Sequence, residues 1–193
     1  INLFPYLGIE DPQWLDGYLN INDGSASLEL RLRDMIKLGQ LYLQNGWSGD
    51  EQILSSEWIE QATSIKVETY FPEIPGYGYL WWLPPGGGYM AIGYAGQYIA
   101  VYPERGLVIG AHSSINNDQI YQSQLLQFIH NQIAPIFDGF SCVNILSISF
   151  HIFSSVVLRS VGKKPYFFHI RLAIINSCLS RTKPLSLTSV SNL

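Results

Sequence analysis

Between Gly76 and Ser113 the chain gathers aromatic and β-branched residues into four short runs, at 77–82, 89–95, 97–102 and 106–113. Two of the connections, Pro84-Pro85-Gly86-Gly87-Gly88 and Pro103-Glu104-Arg105-Gly106, carry turn chemistry. The runs predict the strands of an antiparallel meander. Ile99, Val101, Leu107, Ile109 and Ala111 alternate in phase, and the intervening Val108 and Gly110 are apolar or small as well. Both faces of this sheet are therefore expected to be covered.

The cover is predicted on either side of the meander. Residues 33–45 place Met35, Ile36, Leu38, Leu41 and Tyr42 at helical spacing, with Gly46 where a helix commonly ends in a left-handed residue. Residues 118–133 carry Ile120, Tyr121, Gln124, Leu125, Phe128 and Ile129 on one stripe; Asn117 or Asp118 can cap its start, and Pro135 stops it. Ser55-Ser56-Glu57-Trp58-Ile59-Glu60-Gln61 predicts a short helix between them, because a Ser hydroxyl can accept from the first free amides and early acids suit the positive helix end. The expected fold class is α+β, an antiparallel sheet meander flanked by helices.

Composition adds a boundary. At 13% charged and 13% aromatic, the 193-residue chain has the makeup of a packed globule. All fifteen Asp and Glu lie at or before Asp138 against five Lys and Arg, whereas 139–193 hold six Lys and Arg and no acid. The acidic segment offers no footprint for nucleic acid. With no phosphate loop, zinc spacing or internal repeat, no cofactor or metal is expected. The break at Asp138-Gly139 divides the chain into 1–138 and a Ser-, Ile- and Leu-rich tail, 139–193. Three readings of the tail compete: the product of a shifted frame or lost stop, a membrane anchor, and a small module. The anchor rests on the apolar run 140–158 followed by Arg159, Lys163 and Lys164, and Asn144 and His151 count against it. Cys142 and Cys178 form neither a disulfide framework nor a metal motif. Without an initiator Met or signal peptide, the N-terminus reads as truncated and the compartment as unknown.

Four segments, LFPYLGIEDPQW (3–14), LRLRDMIKLGQLYLQNGWSGDEQILSSEWIEQAT (30–63), GYGYLWW (76–82) and GYAGQYIAVYPERGLVI (93–109), follow one another in a characteristic order and spacing. In these the chain resembles the C-terminal half of the serine β-lactamase and penicillin-binding-protein family, in the class C-like branch of esterases, D-aminopeptidases and oligomeric-amide hydrolases. The resemblance covers 1–137. It implies an acyl-transfer site of three motifs: a Ser-x-x-Lys nucleophile, a Tyr-x-Asn loop, and a Lys/His-Thr/Gly-Gly triplet on an edge strand.

Only the third motif has a counterpart, Tyr94-Ala95-Gly96 followed by Gln97. The resemblance implies that Gly96 lets substrate approach the backbone and that the Gln97 N–H is an oxyanion donor. The alternative is that Gly93 and Gly96 only allow a bulge or bend. Tyr94 stands where many members have a cation and Ala95 where many have a hydroxyl, so the pair that would hold a substrate carboxylate is absent. That departure points to esters or uncharged amides as substrates of the full-length parent.

No nucleophile or base is expected in this chain. Tyr18-Leu19-Asn20 follows the segment that the family's Tyr-x-Asn precedes. Ser160-Val161-Gly162-Lys163 and Ser180-Arg181-Thr182-Lys183 lie after the sheet, and Gly162 and Pro165 oppose the helix that would aim a Lys at its Ser. The expected function is a fragment of a serine hydrolase for small-molecule esters or amides, inactive alone. The alternatives are a non-catalytic binding or structural remnant, membrane-attached through 140–158, and a carbohydrate-binding sheet displaying Trp81, Trp82, Tyr89 and Tyr94. Trp81 and Trp82 are expected on opposite faces of one strand, with Trp82 as a candidate cleft wall. His112 and His130 are expected as hydrogen-bonded structural groups.

Overall fold

The computed structural model describes residues 3–17, 20–24, 26–113, 119–138, 148–158 and 166–176. A short helix α1 (Leu3–Tyr6) and the strand pair β1 (Gln13–Trp14) and β2 (Leu28–Glu29) lead into α2 (Leu32–Leu43). The pair β3 (Trp47–Ser48) and β4 (Glu51–Gln52) precedes α3 (Ser56–Ala62). The meander follows: β5 (Val67–Glu68), β6 (Gly76–Tyr77), β7 (Trp82–Leu83), β8 (Tyr89–Gly93), β9 (Gln97–Tyr102) and β10 (Leu107–Ser113). Then come α4 (Gln119–Phe128), a π-helical turn Ile129–Ile133, a 3-10 turn Ala134–Phe137, and the strands β11 (Ile148–Leu158) and β12 (Tyr166–Asn176). Eight strands form one antiparallel sheet in the order β11-β12-β10-β9-β8-β7-β6-β5.

The alternation read in the sequence divides the sheet residues between two cores. On one face Tyr89, Ile99, Val101, Val108 and Ala173 pack under Ile36 and Leu43 of α2 and Ala62 of α3. On the other, Met90, Tyr98, Ala100, Tyr102, Leu107, Ile109, Ala111, Leu172 and Ile174 pack against Leu125 and Leu126 of α4 and Ile129 just after it. The sheet thus lies between two helical layers, each buried Leu, Ile or Val contributing about 1.5–3 kcal/mol. Tyr98 spans into the second core and donates from its hydroxyl to the Gln122 carbonyl at 2.9 Å. Burial pushes the Tyr89, Tyr98 and Tyr102 phenols up, so all three stay neutral.

Local chemistry explains the helices. Ser55 accepts from the Trp58 amide and caps α3. α2 ends on Asn45 and Gly46, both left-handed, with the Gly46 N–H donating back to the Leu41 carbonyl at 2.8 Å. Asp34, buried in its first turn, holds Lys37 at 2.9 Å. Gly39 sets how closely α2 approaches the sheet: a Cβ there would lie 2.6 Å from Val108 Cγ1 and 2.8 Å from Ile99 Cγ2.

Three expectations change. The run 77–82 is two strands, not one, with Tyr77 paired to Trp82 across a tight turn. The break is imposed from outside the run: Tyr79 N–H donates to the Ala62 carbonyl at the end of α3, 2.9 Å away. A Cβ on Gly78 would lie 2.2 Å from that same oxygen, so only glycine fits. The predicted closing helix is α4 followed by the π and 3-10 turns, and its proposed caps Asn117 and Asp118 lie outside the described residues. Finally, the part of 140–158 that is described, Ile148–Leu158, is a strand and not a spanning helix. No helix among the described residues is long and apolar enough to cross a membrane. The tail instead extends the sheet, with β12 paired to β10 from Leu107↔Asn176 to Ser113↔Ile170.

The close contact of α2 gives a stability prediction. Gly39→Ala gains about 1 kcal/mol of helix propensity but overpacks the Val108–Ile99 contact at a cost of about 1–3 kcal/mol. The expected result in urea unfolding is a net loss of about 1 kcal/mol; a stabilised variant would mean that the helix stands off the sheet.

Candidate active site

The three residues between β8 and β9, Tyr94-Ala95-Gly96, are the turn of a hairpin closed by the pair Gly93↔Gln97. The triplet therefore lies on no strand, and the strands it joins are interior to the sheet, not at its edge. Ala95 and Gly96 both have positive φ, 55° and 86°. A turn is forced here because the strand cannot continue through two left-handed residues. Of the two sequence readings of Gly93 and Gly96, the bend describes the backbone at Gly96.

Ser113, the last residue of β10, holds this turn. Its N–H donates to the Gly96 carbonyl at 3.1 Å. Its hydroxyl oxygen, buried, lies 3.3 Å from both the Ala95 and Gly96 carbonyl oxygens, so its one proton is shared between them. This residue carried no signal in the sequence, since its partners are 17 and 18 positions away.

The staple decides where the turn's amides point. In a trans peptide the N–H is directed opposite to the preceding C=O. With the Gly96 carbonyl turned to Ser113, the Gln97 N–H is directed at β8, where Gly93 is its register partner. That amide belongs to the ladder. With the Ala95 carbonyl also turned to Ser113, the Gly96 N–H is directed away from β10, and it donates to no described residue. Gly96 itself is buried. A sheltered backbone N–H without a partner among the described residues is rare in folded proteins.

The other candidates are distributed differently. Tyr94 is 69% exposed and stands at the rim of the turn. Trp82 is not brought to it: it pairs with Met90 on the α4 side and packs against Tyr77 and Phe71, with ring centroids at 4.5 and 6.2 Å. Trp81 and Tyr89 are buried under α2, so the four aromatics of the carbohydrate reading form no exposed platform. His130 is structural as expected: Nε2 meets the Pro85 carbonyl at 2.8 Å and Nδ1 the Tyr102 hydroxyl at 3.3 Å, pinning the β7–β8 connection to the π turn. His112 is exposed, and its side chain, unlike the backbone that pairs with Gln97, makes no hydrogen bond to a described residue, contrary to expectation. Tyr18, Leu19, Ser160 and Ser180 lie outside the described residues. No cluster of three His, Cys, Asp or Glu side chains suited to a metal occurs among those described.

Ala95 pays a steric penalty of about 1–2 kcal/mol for its left-handed backbone. Ala95→Gly removes it and costs part of that in chain entropy. The variant is expected to be more stable by about 0.5–1 kcal/mol in chemical denaturation; a less stable one would place residue 95 outside the left-handed region.

No protein-family model matches the chain, and no curated protein does. Among solved structures it is similar to one described as "Putative 6-aminohexanoate-dimer hydrolase from Bacillus anthracis", at 27% sequence identity and a TM-score of 0.56. The match covers 68% of this chain and 36% of that one. That neighbour belongs to the β-lactamase/transpeptidase-like superfamily. In fold and in part of its sequence, the chain is related to a hydrolase of the β-lactamase-like kind.

Proposed function

We propose that the chain forms the carbonyl-binding wall of a serine hydrolase acting on small esters or amides, with its nucleophile and base supplied by residues outside this sequence. The observation that carries the reading is the Ser113-stapled turn, which aims the Gly96 N–H away from β10 and leaves it without a partner among the described residues. A donor preset in that way stabilises negative charge developing on a carbonyl oxygen when a hydroxyl attacks the carbon. Removing one such donor costs about 2.7–4 kcal/mol of transition-state stabilisation. The serine oxygen bonds to the carbonyl carbon, its proton passes to the neighbouring base, and the alcohol or amine leaves with a proton before water releases the acid. A hydrolase neighbour whose chain is much longer than the matched part supports this division of labour. The absence of a cation at Tyr94 and of a hydroxyl at Ala95 favours substrates without a carboxylate beside the scissile bond.

The purified chain is expected neither to hydrolyse p-nitrophenyl butyrate nor to label with a serine-directed fluorophosphonate. Turnover together with one labelled serine would overturn the reading, and Ser160 and Ser180 are the first positions to map. In a fusion carrying the neighbour's preceding segment ahead of Ile1, short-ester turnover should appear, and Ser113→Ala should lower kcat by roughly ten- to a hundredfold by loosening the turn.

A further inference from the structure

At the other end of β8 from the candidate turn, a cleft of about 480 Å³ opens on the α4 side of the sheet. The five residues of β8 separate the two, about 17 Å of extended chain. The floor of the cleft is apolar: Leu126 of α4 and Pro84 are buried there, and Pro85 stands at the rim. Three elements bring polar groups over it, Glu73 from the β5–β6 connection, Gln127 from α4, and His130 with Asn131 from the π turn.

The walls are set in advance. His130 donates from Nε2 to the Pro85 carbonyl at 2.8 Å, and its Nδ1 faces the Tyr102 hydroxyl at 3.3 Å, so both ring nitrogens are committed to the fold. A π turn closes i→i+5, which sets consecutive side chains closer together around the axis than an α-turn does, and such turns are frequent at functional sites. Here it presents both His130 and Asn131 to the cleft.

The charge is one-sided. Glu73 lines the cleft, no Lys or Arg does, and the carboxylate makes no ion pair or hydrogen bond with a described residue. Arg105 is held elsewhere, by Asp138 at 2.5 Å and over the Tyr102 ring. The side chains of Gln127 and Asn131 are exposed and likewise bond to no described residue. Carboxylate and carboxamide oxygens gathered over an apolar floor suit a ligand that carries positive charge and many donors. A guanidinium meets this better than an ammonium. Its planar fork gives a carboxylate two parallel bonds, further N–H groups remain for the carboxamides, and it is more weakly hydrated.

We propose that this cleft binds a guanidinium on a short alkyl stem, as in an arginine side chain: Glu73 pairs with the fork, Gln127 and Asn131 accept from the remaining N–H groups, and the stem lies on Pro84, Pro85 and Leu126. The site stands apart from the acyl-transfer reading, and neither depends on the other.

The test is an NMR titration of the isotope-labelled full chain with N-acetylarginine methylamide and its lysine and citrulline analogues, followed at the side-chain amide signals of Gln127 and Asn131. The arginine compound is expected to shift both signals and to bind about tenfold more tightly than the citrulline compound, which keeps the shape and lacks the charge. It should bind about threefold more tightly than the lysine compound. Glu73→Gln should weaken it about tenfold and leave the thermal midpoint in place, since Glu73 is exposed and bonds to nothing described. A blocked Gly-Arg-Gly peptide tells the source of the group: tighter binding than the single residue assigns the cleft to an arginine on a polypeptide, and equal binding assigns it to a small guanidine. Equal binding of the arginine and citrulline compounds, equal or tighter binding of the lysine compound, or a Glu73→Gln variant that binds as the parent does would overturn the proposal. So would shifts confined to residues outside the cleft.

Discussion

The contact between α2 and strands β9 and β10 is the constraint from which the rest of the molecule follows. Two missing side chains allow it, Gly39 on the helix and Gly110 on the strand, since a Cβ at either would collide with its neighbours at 2.5–2.6 Å. At that distance Ile36, Val108, Ile99 and Val101 close one core, while α4 closes the other beneath the same strands. A one-residue register slip of β10 would bring Ile109 or Ala111 under α2 in place of Gly110, where a Cβ meets Ile36 Cγ2 at 2.5 Å. The position of Ser113 relative to the β8–β9 hairpin is thereby fixed.

That fixed register turns a packing fact into a chemical one. Ser113 sits at the end of β10, opposite Gly96, and binds the two carbonyls of the turn. Its hold directs one amide into the ladder and the next one out of it. The same geometry ends the helical cover at Gly110 and leaves Gln97 and His112 uncovered beyond it.

Much of this was legible in the sequence where the signal was local. The spacing of Ile36, Leu38 and Leu41, the Ser55 cap, and the alternation from Ile99 to Ala111 each specify their element without help from distant residues. What escaped depends on remote partners. The split of 77–82 comes from the Ala62 carbonyl at the end of α3, and the outward Gly96 amide from Ser113. In the tail the apolar run allowed a helix as one of three readings, while Ile, Val and Phe enrich 148–158 as they do strands. The triplet Tyr94-Ala95-Gly96 was expected on a strand and lies in a turn, because the positive φ of Ala95, a residue that seldom adopts it, is not written in its type.

The most direct test of the account is the pattern of backbone hydrogen bonds at the turn, read as through-bond nitrogen–carbonyl couplings in an isotope-labelled sample. The account predicts a coupling from the Ser113 amide to the Gly96 carbonyl, one from the Gln97 amide to the Gly93 carbonyl, and none from the Gly96 amide. A Gly96 amide coupled to any backbone carbonyl, with the Gln97 amide uncoupled, would contradict it and return the donor role to Gln97.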